Sequence, residues 1–138
     1  MSCLALDAEA LSRLARGGQA EAAVRAALTA ALAERVDVLV SAAVLSEVYR
    51  GPRYDPMVDA CLAREGGIGV VDTDRSLARR VGHILAAARR GSEHHVDATV
   101  VATCALAGGG LILTADVGDL EALTPSGSGI AVRGLTEH

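Results

Sequence analysis

The chain has 138 residues, 51% of them hydrophobic, with a formal net charge of -4; that length suits one compact domain burying roughly 70% of the surface its unfolded form exposes. All 13 positive residues are arginine, so designs built on a phosphate-loop lysine, a receiver-domain lysine or a haloacid-type phosphatase lysine are excluded. The acidic balance argues against coating nucleic acid by bulk attraction, and with Tyr49 and Tyr54 as the whole aromatic content there is no stacking platform for a single strand.

The predicted elements alternate. Residues 3–6 form a buried strand ending at Asp7, residues 8–16 a short helix stopped by Gly17-Gly18, and residues 19–35 a helix with Val24, Ala27, Leu28, Ala31 and Leu32 on one stripe and Glu21, Arg25 and Glu34 off it. Residues 36–40 read as a second strand, after which Ser41 caps a helix carrying Val44, Leu45, Glu47 and Val48 and ending at Gly51-Pro52. A helix over 57–64, a turn at Gly66-Gly67 and a strand over 68–71 follow. Thr73 or Asp74 opens a long helix through Leu77, Val81, Ile84 and Leu85, closed by Arg89-Arg90-Gly91. Beyond a polar loop come a helix over 96–107, a strand over 111–114, a helix over 117–123 and a short strand over 130–133. Strands alternating with helices imply an α/β fold with a mainly parallel sheet of four to five strands, covered on both faces.

Cys3, Cys61 and Cys104 lack the paired short spacings of a zinc site and read as reduced core residues. The N-terminus has no basic region, and its apolar run breaks at Asp7, against a secretory signal. Residues 98–115 carry no charge, but Gly108-Gly109-Gly110 divides them into a helix-like and a strand-like half, so no membrane span is expected and the cytoplasm is the expected compartment. The mean hydropathy of +0.34 suggests apolar surface covered by a partner or by another copy.

Four acids define the chemistry. Asp7 and Asp116 stand just past the carboxyl ends of predicted buried strands, the edge where open α/β sheets bind ligands. Asp97 leads the helix 96–107. The three meet if the strands starting near residues 1 and 110 are neighbours at a switch in strand order, and Glu47 then reaches them from mid-helix. Helix capping accounts for each aspartate taken alone. Glu47 is different: its neighbours Val44, Leu45 and Val48 read as buried, and a buried carboxylate wants a cation, either Arg50 or a metal shared with the aspartates. Asp119 follows Gly118 and either faces the same opening or complements its helix dipole. Glu9, Asp72 and Asp74 read as exposed, with Asp74 a plausible cap.

Two carboxylates about 4 Å apart repel by roughly 4 kcal/mol at an effective dielectric of about 20. Mg2+ or Mn2+, hard cations that take oxygen ligands, relieves this and supplies Lewis-acid chemistry at a phosphodiester. His94 and His95 precede Asp97 and read as loop residues, since a metal-based hydrolase of this kind needs no histidine base. Most arginines, including Arg75, Arg79, Arg80, Arg89 and Arg90, read as solvated faces and dipole complements. Arg50 and Arg53, after the Glu47 helix, are the candidates for contact with substrate phosphate. Gly66-Gly67-Ile68-Gly69 leads into a strand, the wrong context for a dinucleotide turn.

The motifs Leu6-Asp7, Ser46-Glu47-Val48, Val96-Asp97-Ala98-Thr99-Val100-Val101-Ala102 and Leu113-Thr114-Ala115-Asp116-Val117-Gly118-Asp119-Leu120 together resemble those of the PIN-domain ribonucleases, especially the stand-alone toxins of VapBC toxin-antitoxin pairs. The resemblance runs through nearly the whole chain and implies one three-layer α/β/α PIN-like domain over residues 1–138. It implies a Mg2+- or Mn2+-dependent endoribonuclease with Asp7, Asp97 and Asp116 facing the metal, Glu47 and Asp119 completing the catalytic set, and Thr114 as the family's hydroxyl. It also implies a homodimer checked by a small cognate antitoxin. One departure is Ala8, where the family usually has Ser or Thr after the first acid; it leaves open a second reading, a catalytically weak or inactive PIN-fold module that binds RNA or protein.

Overall fold

The computed structural model describes residues 2–17, 19–64 and 67–135. Five strands, β1 (Cys3–Leu6), β2 (Asp37–Ser41), β3 (Ile68–Val71), β4 (Gly110–Thr114) and β5 (Ile130–Gly134), alternate with seven helices: α1 (Ala8–Arg16), α2 (Gln19–Ala33), α3 (Ala42–Val48), α4 (Asp55–Arg64), α5 (Arg75–Ala88), α6 (His95–Leu106) and α7 (Val117–Leu123). A single 3-10 turn, Ser92–His94, leads into α6.

All strand pairings are parallel, in the order β3-β2-β1-β4-β5. The chain steps outward from β1 to β2 and β3, then crosses back to β4 on the other side of β1. Right-handed crossovers therefore set α1 to α4 on one face and α5 to α7 on the other; the helices pack mainly within those two groups, and α3 also meets α6 across the sheet end. The result is a three-layer α/β/α fold whose strand order reverses between β1 and β4, as the acid placement requires.

The apolar pattern explains the centre of the sheet. Every residue of β1 and of β4 is buried, as befits strands covered on both faces. α6 is apolar all round and buries its residues from Ala98 to Cys104, lying across β1, β2 and β4. Leu11 and Leu14 of α1 close the opposite face; each buried leucine is worth about 1.5–3 kcal/mol relative to exposure. All three cysteines are buried, and the Cys3 thiol donates to Cys104 Sγ at 3.5 Å.

Gly110 starts β4 with φ +148°, and a Cβ there would overlap the Cys3 carbonyl oxygen. This close approach of β4 to β1 makes glycine necessary at the join between α6 and β4. The triple glycine thus separates helix from strand as expected, and no helix among the described residues is long and apolar enough to cross a membrane.

Several boundaries depart from expectation. β2 begins at Asp37 because the Val36 N–H still belongs to the end of α2, donating to Ala31 O at 2.8 Å while Arg35 adopts φ 58°. α5 ends in the same way: Arg89 takes the left-handed conformation and the Arg90 N–H reaches back to Leu85 O, so the stop lies at Arg89 and not at Gly91. α3 ends at Val48, before Gly51-Pro52, when the Tyr49 backbone turns extended. Leu32, expected on the buried stripe of α2, is 57% exposed, whereas Val24, Leu28 and Ala31 are buried. Gly18, Gly66 and the side chain of Glu21 lie outside the described residues.

Candidate metal centre

Asp7 occupies the junction between β1 and α1, and two donors hold its carboxylate. Oδ1 accepts from the Ala10 N–H at 2.8 Å as the N-cap of α1, Oδ2 accepts from the Thr114 hydroxyl at 2.5 Å, and the nearby Ala115 N–H favours the charged form. With Asp7 only 7% exposed, burial pushes its pKa up, and these hydrogen bonds pull against that. A carboxylate offers about four acceptor positions, so roughly two remain for a cation.

Thr114 connects two of the acids. Its Oγ1 donates to Asp7 and accepts the Asp116 N–H at 2.8 Å, so the fully buried end of β4 sets the backbone of Asp116 against Asp7. Asp116 then caps α7 by accepting the Asp119 N–H at 3.2 Å, and Leu120 anchors that helix in the core. Asp116 itself is exposed, and Asp119 is half-buried.

Asp97 enters from the first turn of α6, half-buried. Burial raises its pKa, and the charges of Asp7, Asp119, Glu47 and Asp116 raise it further, in that order. The five acids predicted from sequence therefore lie within electrostatic reach of one point. Among the described residues, no arginine forms an ion pair with any of them.

A second hydroxyl relay ties the Glu47 helix to the Asp97 helix. Thr99 of α6 donates to Val96 O at 2.6 Å, so in its 2.9 Å contact with Ser41 the proton comes from Ser41. Ser41 Oγ in turn accepts the Val44 N–H at 3.2 Å as the N-cap of α3. The expected cap is present, with a tertiary partner that local pattern did not reveal.

Glu47 corrects one expectation. It is exposed, and of its supposed buried neighbours only Val44 is buried, while Leu45 and Val48 are half-buried. The seven-residue α3 contacts α1, α6 and β2, and Leu45 and Val48 pack against the core while Ser46 and Glu47 face out. Nor is Arg50 its counter-ion: the Arg50 guanidinium donates to Ser46 O and Tyr49 O.

Glu47 instead borders a groove of about 310 Å³ between α1, α3 and α4, shared with Ala8, Glu9, Arg16, Arg50 and Tyr54. Arg53 lies outside this lining, with its guanidinium 5.8 Å from the centre of the Tyr54 ring. Ala8 therefore stands where the groove meets the acids.

Among the described residues His94, Asp97 and Asp119 each offer a potential metal-donor atom within 4.8 Å of the others, a set that shares Asp97 with the predicted Asp7, Asp97 and Asp116. Sequence reasoning set His94 aside as a loop residue. The available signal was its spacing of three from Asp97 across a helix start, which places both side chains on one face. His95, next to it, is exposed.

Carboxylate oxygens with one imidazole, raised carboxylate pKa values and an open edge fit a divalent cation. The PIN domain family matches residues 4–122, and the chain belongs to that family. No curated protein matches the chain. PIN domains are generally metal-dependent nucleases that act on RNA.

Proposed function

From membership of the PIN family we propose that this chain is an endoribonuclease that hydrolyses RNA phosphodiesters with a bound Mg2+ or Mn2+ ion, and that it serves as the toxin of a type II toxin-antitoxin pair. One observation carries the reading. Asp97 lies half-buried among four further carboxylates that all raise its pKa, with no arginine paired to any of the five among the described residues. Such a cluster is costly without a cation and useful with one.

Asp97 and Asp119 would hold the ion together with the free acceptor positions of Asp7 and Asp116. When bound, the ion supplies Lewis-acid chemistry at a phosphodiester. The protein supplies position. Thr114 keeps Asp7 and the Asp116 backbone at a fixed separation, and the Ser41–Thr99 bond holds the base of α3 against α6, which sets the distance from Glu47 to Asp97. Glu47, on the open side, is placed to orient a water or a substrate hydroxyl. Arg50 and Arg16 in the adjoining groove give an RNA backbone positive charge to lie against.

Ala8 is the observation favouring the inactive-module reading. Its force is limited, because Asp7 already accepts hydrogen bonds from Ala10 and Thr114 without a hydroxyl at position 8. In the toxin reading a second copy of the chain and a small antitoxin cover exposed apolar side chains such as Leu106 and Met57, 46% and 39% exposed. The protein acts in the cytoplasm.

The test is cleavage of a structured and an unstructured RNA by purified protein with Mg2+ or Mn2+, with and without chelator. Asp97→Asn should lower the rate by roughly two to four orders of magnitude, as removal of a central catalytic group does, and should abolish growth arrest in cells while retaining the native circular dichroism spectrum. Undiminished cleavage or growth arrest in that variant would overturn the nuclease assignment.

A further inference from the structure

We infer that His94 is a nitrogen ligand of the metal held by Asp97 and Asp119, and that it tunes the site toward Mn2+, which tolerates a nitrogen donor, and away from Mg2+, which does not. The inference rests on the metal-dependent reading above and concerns the composition of that same site.

His94 sits in the N-cap position of α6, at the end of the 3-10 turn, but its side chain makes no capping hydrogen bond. Its other near neighbour is Glu93, whose Oε1 lies 3.9 Å from Nε2, too far for a direct hydrogen bond, and whose side chain is 70% exposed. Among the described residues the imidazole therefore has no hydrogen-bond partner that accounts for its part-buried position. It does have Asp97, three residues along the same helix start, and Asp119, delivered from α7 by the Asp116 cap.

The three donor atoms lie within 4.8 Å of one another. Ligands bonded at about 2.0–2.2 Å can stand up to about 4.4 Å apart across one ion, so small side-chain rotations let all three share it. The donors come from two separate elements, the start of α6 and the first turn of α7, whose relative position is fixed by packing of Ala98, Val101 and Leu120 in the core.

The chemistry follows from donor type. Carboxylate, carbonyl and water ligands suit both ions, but Mn2+ is a first-row transition ion that also accepts an imidazole nitrogen, whereas Mg2+ keeps oxygen ligands and its own waters, so one nitrogen in an oxygen set favours Mn2+ over Mg2+. The imidazole is neutral when it ligates, so it also adds a ligand without adding a sixth negative charge to the five acids around Asp97.

The experiment measures binding, not turnover. Mn2+ and Mg2+ affinities of the full chain are determined at one fixed neutral pH by calorimetry and metal-dependent melting, for wild type, His94→Ala, His94→Gln and Asp97→Asn. The Mn2+-loaded proteins are also examined by pulsed electron paramagnetic resonance for coupling to imidazole nitrogen. Wild type should bind Mn2+ more tightly than Mg2+ and show the nitrogen coupling. Both His94 variants should lose the coupling and about ten- to a hundredfold in Mn2+ affinity, with Mg2+ affinity changed by no more than about twofold. His94→Gln keeps a polar side chain of similar length should the alanine variant fold poorly.

Mn2+ affinity and nitrogen coupling unchanged in both His94 variants, with affinity lost in Asp97→Asn, would overturn this inference and leave the nuclease reading standing. Wild type that binds neither ion would overturn both.

Discussion

The two sides of the acid cluster are built on different physical terms. On the β1–β4 side, Asp7 is buried, accepts hydrogen bonds from Ala10 and Thr114 and is joined through the Thr114 hydroxyl to the backbone of Asp116. On the α3–α6 side, Glu47 is exposed, and Asp97 is half-buried among like charges. The first side is held by the protein's own donors and belongs to the fold; the second is left incomplete by the fold. A site that must bind and release charge is expected to divide its labour in this way, because a fully satisfied carboxylate has no capacity left for a cation and an entirely unsupported one has no fixed position.

That contrast predicts that changes on the satisfied side act on stability and changes on the open side act on chemistry. Thr114→Val keeps the side chain's shape but leaves Asp7 Oδ2 and the Asp116 N–H without their partner, so it should destabilise by about 1–3 kcal/mol, read by urea denaturation. A variant as stable as wild type would show that the relay contributes nothing. Ser41→Ala removes the α3 cap and the link to Thr99 together and should cost about 1–2 kcal/mol. It should also lower the cleavage rate by displacing Glu47, whereas a pure capping loss would leave the rate unchanged.

The pH dependence is a subtler probe. Burial and like charges raise the pKa of Asp97 above the ordinary carboxylate value of 3.8, and burial raises that of Asp7. The metal-free native state thus holds these protons more tightly than the unfolded chain does. Their stabilising contribution is complete below the unfolded value and is lost as pH rises through the raised native values. In the window between those values, metal-free protein should melt at higher temperature as pH is lowered, and Asp97→Asn should flatten the trend. Saturating Mn2+ should reverse it, since a metal-bound carboxylate must be ionised. A melting temperature that drops as pH is lowered across that window in metal-free protein would contradict this crowding of charge.

The smallest expected effect is on the stability of Glu47→Gln. The side chain is exposed and has no ion-pair partner among the described residues, so its unfolding free energy should change by less than about 0.5 kcal/mol. Its cleavage rate should nonetheless fall by at least about tenfold if Glu47 orients a reactant. Loss of stability without loss of rate would place Glu47 on the structural side of the comparison.

Much of this architecture was legible before any coordinates. β3 and α7 begin and end where their residue patterns predict, because Ile68–Val71 and Val117–Leu123 are each bounded by strong local signals, a glycine turn in one case and an aspartate cap in the other. Asp74 and Ser41 cap their helices for the same local reason. The helix ends at Ala33 and Ala88 were harder, since both use an arginine in the left-handed conformation, which no composition rule selects. The burial of Glu47 was misjudged because apolar neighbours on a short helix do not reveal that Glu47 itself faces out.

By itself the sequence determined the parallel α/β layering and the identity of the acids, since hydrophobic periodicity, caps and glycine breaks act over a few residues and specify elements locally. The tertiary structure decided which of those acids the protein satisfies and which it leaves open. Whether a carboxylate finds Thr114 or another carboxylate depends on chain segments about a hundred residues apart, and the meeting of His94 and Asp97 with Asp119 depends on how two separate helices pack. Such juxtapositions come from strand order and core packing, which bring distant residues within a few ångströms, and local pattern contains no distance between them.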